Sequence, residues 1–189
     1  MSLSRTLPLA VLGLLLGTAT AQAASPSRQK QIQHGGYLVT IAGCHDCHTP
    51  LKMGPKGPEP DMTRMLSGHP EGLKMPPAPK LTEAPWGWAG SLTMTAFSGP
   101  WGVTYAANLT PDKETGLGSW TEAQFLRMVR SARHLGQGRA ILPPMPIQNL
   151  QQVNEADLKA IFAYLQSIPA VKNKVPAPEA PAPTPIPMH

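Results

Sequence analysis

The chain has 189 residues, a formal net charge of +5, 41% hydrophobic residues and two cysteines, enough for one domain with a real core. The basic excess is modest and its cations are scattered. With no Lys/Arg run and no aromatic-basic alternation, the composition argues against a nucleic-acid surface and reads as a solvated basic exterior.

Residues 1–23 read as a signal peptide: Arg5, an apolar run from Leu7 to Leu16, then Ala21-Gln22-Ala23, a small-x-small site cut after Ala23. The run is shorter than the roughly 20 apolar residues that span a bilayer; an uncleaved anchor is the alternative. The expectation is an exported, periplasmic protein whose domain occupies residues 24–174.

From Gln29 to Ala42 the pattern predicts a helix with apolar contacts at Ile32, Leu38, Val39 and Ile41. Gly35-Gly36 weakens it locally and marks a close approach of another backbone. The helix delivers the chain into "CHDCH", which holds both cysteines, Cys44 and Cys47, followed at once by His48. A disulfide across two intervening residues closes too small a loop to stabilise much. A thioredoxin-type pair needs a βαβ context, and a structural zinc site needs four ligands. Covalent haem attachment fits: each thiol adds to one vinyl group of the porphyrin, and the histidine binds iron.

Residues 50–80 are rich in Pro and Gly and predict a long surface loop carrying Met53, Met62, Met65 and Met75. Within residues 81–106, "SLTMTAF", "SGPWG" and "VTYA" predict a small β-hairpin. Trp86, Trp88 and Trp101 nearby either cover a haem edge or form a satellite cluster. Residues 108–120 form a turn-rich connector ending in a capping box, Ser119-x-x-Glu122, that opens a helix from about Trp120 to Arg133. Phe125, Met128, Val129 and Ala132 make its buried stripe; Arg127, Arg130 and Arg133 lie off it as a solvated face.

"AILPPMPIQNL" places Met145 between prolines that lack an N–H and fix φ. A loop so rigid can hold a thioether over iron opposite His48. Rival ligands are His34, His69, His134, Met94 and the loop methionines. The last helix begins after Asn154 as N-cap, repeats Leu158, Ile161, Phe162, Leu165 and Ile168, and stops at Pro169. Residues 175–189 predict an extended, mobile Pro/Ala-rich tail. One C-x-x-C-H motif means one haem.

With these residues in place, the chain resembles single-haem, class I-like c-type cytochromes, closest to the cytochrome subunits and domains that accept electrons from periplasmic dehydrogenases. The likeness rests on "GGYLVTIAGCHDCHTP", "YAANLTPDKETGLGSWTEAQFLRMVRSARH", "LPPMPIQNL" and "VNEADLKAIFAYLQSIP" and covers residues about 30 to 171. It implies a mostly α fold of helices around one haem c, with long Pro/Gly-rich loops and a possible small β-hairpin insertion. It also implies Cys44 and Cys47 as thioether sites, His48 and Met145 as axial ligands, and Gly36 packed against the terminal helix near Tyr164. Many relatives carry several haem motifs, or an aromatic residue after the MP dipeptide; here there is one motif, with Ile147 and Asn149 in that region.

The function so implied is electron transfer rather than enzymatic turnover, with iron cycling between Fe(III) and Fe(II). The partners are a dehydrogenase, a respiratory complex or an oxidase, with membrane association through such a partner and no nucleic acid. The alternative is a haem enzyme or sensor with an open distal site.

Overall fold

A computed structural model describes residues 26–79, 81 and 85–181. The export segment and the last part of the tail lie outside the described residues. The helices are α1 (Pro26–Ile41), α2 (Cys44–His48), α3 (Glu122–Ser131), α4 (Ile147–Gln152) and α5 (Glu155–Leu165). Two small antiparallel sheets join them: β1 (Leu51–Gly54) with β2 (Gly57–Pro60), and a three-stranded sheet in the order β3 (Ala89–Gly90), β4 (Ala96–Gly99), β5 (Gly102–Tyr105).

The helical core forms where α1 crosses α5. A Cβ on Gly35 would lie 1.9 Å from the Ala160 carbonyl oxygen, so only glycine lets the two backbones meet. Gly36 faces the ring of Tyr164, where a Cβ would stand 3.0 Å from the ring edge, the contact that the resemblance implies. Asn154 caps α5 as expected: its Oδ1 accepts the Asp157 N–H at 2.8 Å. Leu158, Ile161, Phe162, Leu165 and Ile168 then bury against Val39, Phe125 and Val129. The Phe125 and Phe162 rings lie 5.2 Å apart.

Helix α3 starts later than the Ser119 box predicts. Thr121 is the N-cap and Gln124 completes the box: Thr121 Oγ1 accepts the Gln124 N–H, and Gln124 Oε1 accepts the Thr121 N–H. Two overlapping S/T-x-x-E/Q patterns compete here, and the one at Thr121 prevails: Trp120 packs against the core and its N–H donates to the Leu117 carbonyl at 3.0 Å. Arg127, Arg130 and Arg133 are exposed, as the solvated face predicts, but Arg130 does more than face water. Its guanidinium donates to the Gln151 and Val153 carbonyls at 2.5 and 2.8 Å, so it closes the C-terminal end of α4.

The sheet regions split the expectations. The β4–β5 hairpin forms as predicted, turning at Pro100-Trp101 between Gly99 and Gly102. The segment read as a continuous loop over 50–80 contains a second hairpin, β1–β2, turning at Pro55-Lys56 with Gly57 at φ +115°. Its prolines suit a two-stranded ribbon because each strand leaves one edge unpaired. Trp88 meets Phe97 edge-on at 5.9 Å, whereas Trp86 is 75% exposed.

Residues 175–181 are extended, as read, but they are not loose. The Val103 N–H donates to the Glu179 carbonyl at 3.0 Å and the Glu179 N–H to the Val103 carbonyl at 2.9 Å. Gly102 leaves room for this approach, since a Cβ there would fall 2.0 Å from the Glu179 oxygen. Proline lacks a donor, yet one non-proline residue among prolines suffices for a bridge on the free edge of β5.

Candidate functional site

Gly43, in the left-handed region at φ +66°, breaks the chain between α1 and α2 and sets the motif on its own helical turn. On this short helix Cys44 and Cys47 stand at i and i+3, hence on one face. Both are free thiols and half-buried. Burial pushes the Cys44 thiol up to about 11 and also raises that of Cys47, so both are held as neutral S–H.

His48 closes the turn and is buried. Its Nδ1 lies 2.8 Å from the Ala107 carbonyl oxygen. A carbonyl only accepts, so Nδ1 carries the proton and Nε2 keeps its lone pair. Burial lowers the imidazole pKa, which keeps the ring neutral and Nε2 available as a donor. A ring N–H given to a backbone carbonyl is the usual outer support of a metal-ligating histidine. The end of the helix is pinned as well: fully buried Thr49 accepts the Leu66 N–H and pairs with His45 Nδ1, both at 3.0 Å.

Two neutral thiols on one helical face beside a buried histidine with one free nitrogen form a donor set that fits haem. Thioether formation leaves no charge behind, so the half-buried setting of the sulfurs suits the product as well as the reactant.

Met145 lies half-buried in the segment between α3 and α4, directly after the Pro143-Pro144 pair, whose peptide bond is cis. Its carbonyl accepts the Ile147 N–H at 2.8 Å as α4 begins. The loop is tied to β5, where Thr104 Oγ1 donates to the Pro143 carbonyl at 2.8 Å. Shortly after Thr104 on the same chain segment comes Ala107, the acceptor for His48. One segment therefore anchors both the motif histidine and the loop that carries Met145.

Two of the rival histidines have ring nitrogens bonded to other groups, and other rivals lie on the surface or in the core. His69 is fully buried with Nδ1 on Thr95 Oγ1 and Nε2 on the Leu73 carbonyl, each at 3.0 Å. His34 holds Asp157 through Nε2 at 2.6 Å on the exterior. His134 is exposed and stands edge-on to Trp120 at 5.1 Å. Met53 and Met62 are 68% and 59% exposed, and Met65 packs against the core.

Sequence reasoning missed the residues that hold the site from outside. Ala107 acts through its backbone, which has no side-chain signature. Gly68, with φ +77°, donates its N–H to the His48 carbonyl at 2.8 Å. Asn173 reads as part of a polar stretch, "VKNK", yet it is buried among four side-chain hydrogen bonds. Its signal, an asparagine just after a helix-stopping proline, is too common to single out.

No protein-family model matches the chain. Over 156 residues, 82% of this chain and 27% of the relative, it is 28% identical to the gluconate 2-dehydrogenase cytochrome c subunit of Pantoea cypripedii. Over 170 residues, 88% of this chain and 28% of the relative, it is 25% identical to the cytochrome c subunit of alcohol dehydrogenase (quinone) from Gluconobacter oxydans (strain 621H). A shorter match of 89 residues, 47% of this chain and 7% of the relative, is 39% identical to a subunit of nicotinate dehydrogenase from Pseudomonas putida. The chain thus spans 27% and 28% of the first two relatives and 7% of the third. Across most of its length, its homologues are cytochrome c subunits of dehydrogenases.

Proposed function

We propose that the chain is a periplasmic single-haem electron carrier of class I-like arrangement, working with a dehydrogenase and passing electrons to a further redox protein. Cys44 and Cys47 hold haem c as thioethers, His48 Nε2 is the proximal ligand and the Met145 sulfur the distal one. Bound haem supplies a one-electron Fe(III)/Fe(II) couple. The residues of the chain fix both ligands and exclude water. Thioether ligation opposite imidazole raises the potential relative to two histidines.

The observation that carries this reading is the single turn of α2. It presents two thiols on one face and a buried imidazole whose Nδ1 is committed to Ala107. The tie between Thr104 and Pro143 supports Met145, as does the engagement of both His69 ring nitrogens and of His34 Nε2 with other partners. The cytochrome c subunits among the relatives support a dehydrogenase partner.

The test is the purified, secreted protein. A covalently attached porphyrin detected by intact mass, lost in Cys44→Ala/Cys47→Ala, is the expected result. In the oxidised spectrum the red sulfur-to-iron band is expected in wild type and absent in Met145→Ala. A band unchanged in that variant, or rapid carbon monoxide binding by the ferrous wild type, overturns the distal ligand and favours an open haem site.

A further inference from the structure

We infer that Asn173 is a positioning residue for the His48 imidazole, holding the two ends of its hydrogen bond in register and so setting the donor strength of that ligand. This rests on the haem reading above.

Residues 67–69 sit between the helix that carries His48 and the segment that accepts its hydrogen bond. Gly68 N–H donates to the His48 carbonyl at 2.8 Å, and His69 N–H donates to the Ala106 carbonyl at 2.9 Å. A Cβ on Gly68 would fall 2.3 Å from the Ala106 oxygen and 2.6 Å from the Ala107 oxygen, the acceptor for His48 Nδ1. These three residues therefore act as a spacer that touches both partners of the imidazole bond.

Asn173 fixes the spacer. Its Nδ2 donates to the Ser67 carbonyl at 2.7 Å and the His69 carbonyl at 2.8 Å, one on each side of Gly68. Its Oδ1 accepts from Arg64 Nη2 at 2.8 Å and from the Glu71 N–H at 2.9 Å. All four hydrogen bonds are made by a side chain 1% exposed, so the amide orientation is determined: only the NH2 end can face two carbonyls. The backbone of Asn173 is held in turn, its N–H by Thr115 Oγ1 at 3.0 Å, while Val171 pairs with Thr110 and Asn108. The chain after α5 is thus a strap drawn over the segment that carries Ala107.

The consequence is electronic as well as mechanical. A well-formed N–H to carbonyl bond makes imidazole a stronger donor and favours ferric iron. Loosening the spacer lengthens that bond, weakens the donor and favours ferrous iron. Asn173→Asp keeps both accepting contacts but turns an oxygen toward the Ser67 and His69 carbonyls; Asn173→Ala removes all four.

The test uses the full haem-loaded chain, with Asn154→Ala as a control that loses the α5 cap and leaves the spacer intact. In a redox titration, the ferrous-to-ferric ratio at a fixed ambient potential is expected to rise about threefold or more in Asn173→Ala; Asn173→Asp, whose new carboxylate itself favours ferric iron, is read by proton exchange. Exchange of the His48 Nδ1 proton in the ferrous protein, followed by NMR, is expected to quicken in both and to stay unchanged in Asn154→Ala. Variants that melt cooperatively with wild-type potential and exchange overturn the inference. If the Asn173 variants fail to fold, Arg64→Gln, which removes one contact of the four, decides: a smaller shift of the same sign supports the inference and none refutes it. Wild-type protein without covalent porphyrin would instead sink the carrier reading itself.

Discussion

The hydroxyl of Thr104 donates to the carbonyl of Pro143 at 2.8 Å, binding the proline-rich loop to the last strand of the three-stranded sheet. Neither residue belongs to the C-x-x-C-H motif, and 39 positions separate them. Thr104→Val keeps the volume and removes the donor, leaving a carbonyl without its protein partner. Denaturant unfolding should show a loss of about 1–2 kcal/mol. On the haem reading, carbon monoxide should also bind the ferrous variant faster than wild type, because the Met145 loop lifts more readily. A loss of stability with unchanged ligand access would mean that the loop does not depend on this anchor.

Gly35 and Gly36 should respond unequally to alanine. At Gly35 the new methyl meets the Ala160 carbonyl, rigid backbone inside α5. Prising α1 from α5 should cost about 2–3 kcal/mol, the upper range of overpacking. At Gly36 the obstacle is the edge of the Tyr164 ring, which can turn away, so the cost should be about 1 kcal/mol or less. Equal midpoints for the two variants would contradict this picture of the helix crossing.

Protonation of His69 should destabilise the fold. The Leu73 carbonyl accepts from Nε2–H, so Nδ1 accepts from the Thr95 hydroxyl, and Thr95 accepts in turn from Thr93 at 2.8 Å. Burial, ahead of the opposing hydrogen bond to Leu73 and the charge of Arg64, lowers the pKa of the ring below its usual value. A folded-state pKa below the unfolded one means that the unfolded chain binds the proton first. The contribution of His69 is therefore intact above about pH 6.5 and lost as pH falls through the folded value. Urea midpoints should drop on acidification, and His69→Gln should flatten part of that slope. An identical pH profile in the variant would clear His69 of any part in it.

The tail contact should fail at the alkaline end. Burial first, then the hydrogen bond to the Glu179 carboxylate, pushes the Tyr105 phenol up to about 12. An unfolded phenol ionises near about pH 10, so the stabilisation is complete below that point and is lost as pH rises through the folded value. Tyrosinate absorbance should show one late-titrating phenol, missing in Tyr105→Phe. In that variant residues 175–181 should also become more accessible to protease. Unchanged titration curves would detach Tyr105 from the tail.

How much of this was legible in the sequence follows from distance along the chain. The helical turn that carries Cys44, Cys47 and His48, the Asn154 cap, the stripe of α5 and the β4–β5 hairpin are patterns closed within a few residues, so local chemistry specifies them. The β1–β2 hairpin was hidden because its prolines and glycines look like loop punctuation until an unpaired ribbon edge excuses them. The choice of Thr121 over Ser119 was hidden because both satisfy the same local rule and only the core separates them.

On the haem reading, residue identity alone names the atoms suited to hold the group: two thiols and an imidazole at a spacing that one helical turn converts into one site. What holds those atoms was settled by the folded chain. The Ala107 carbonyl, the Gly68 spacer and the Asn173 strap all act on backbone carbonyls and amides. Nearly every residue carries such groups, so their identity says nothing until the fold selects which few are brought within hydrogen-bonding reach.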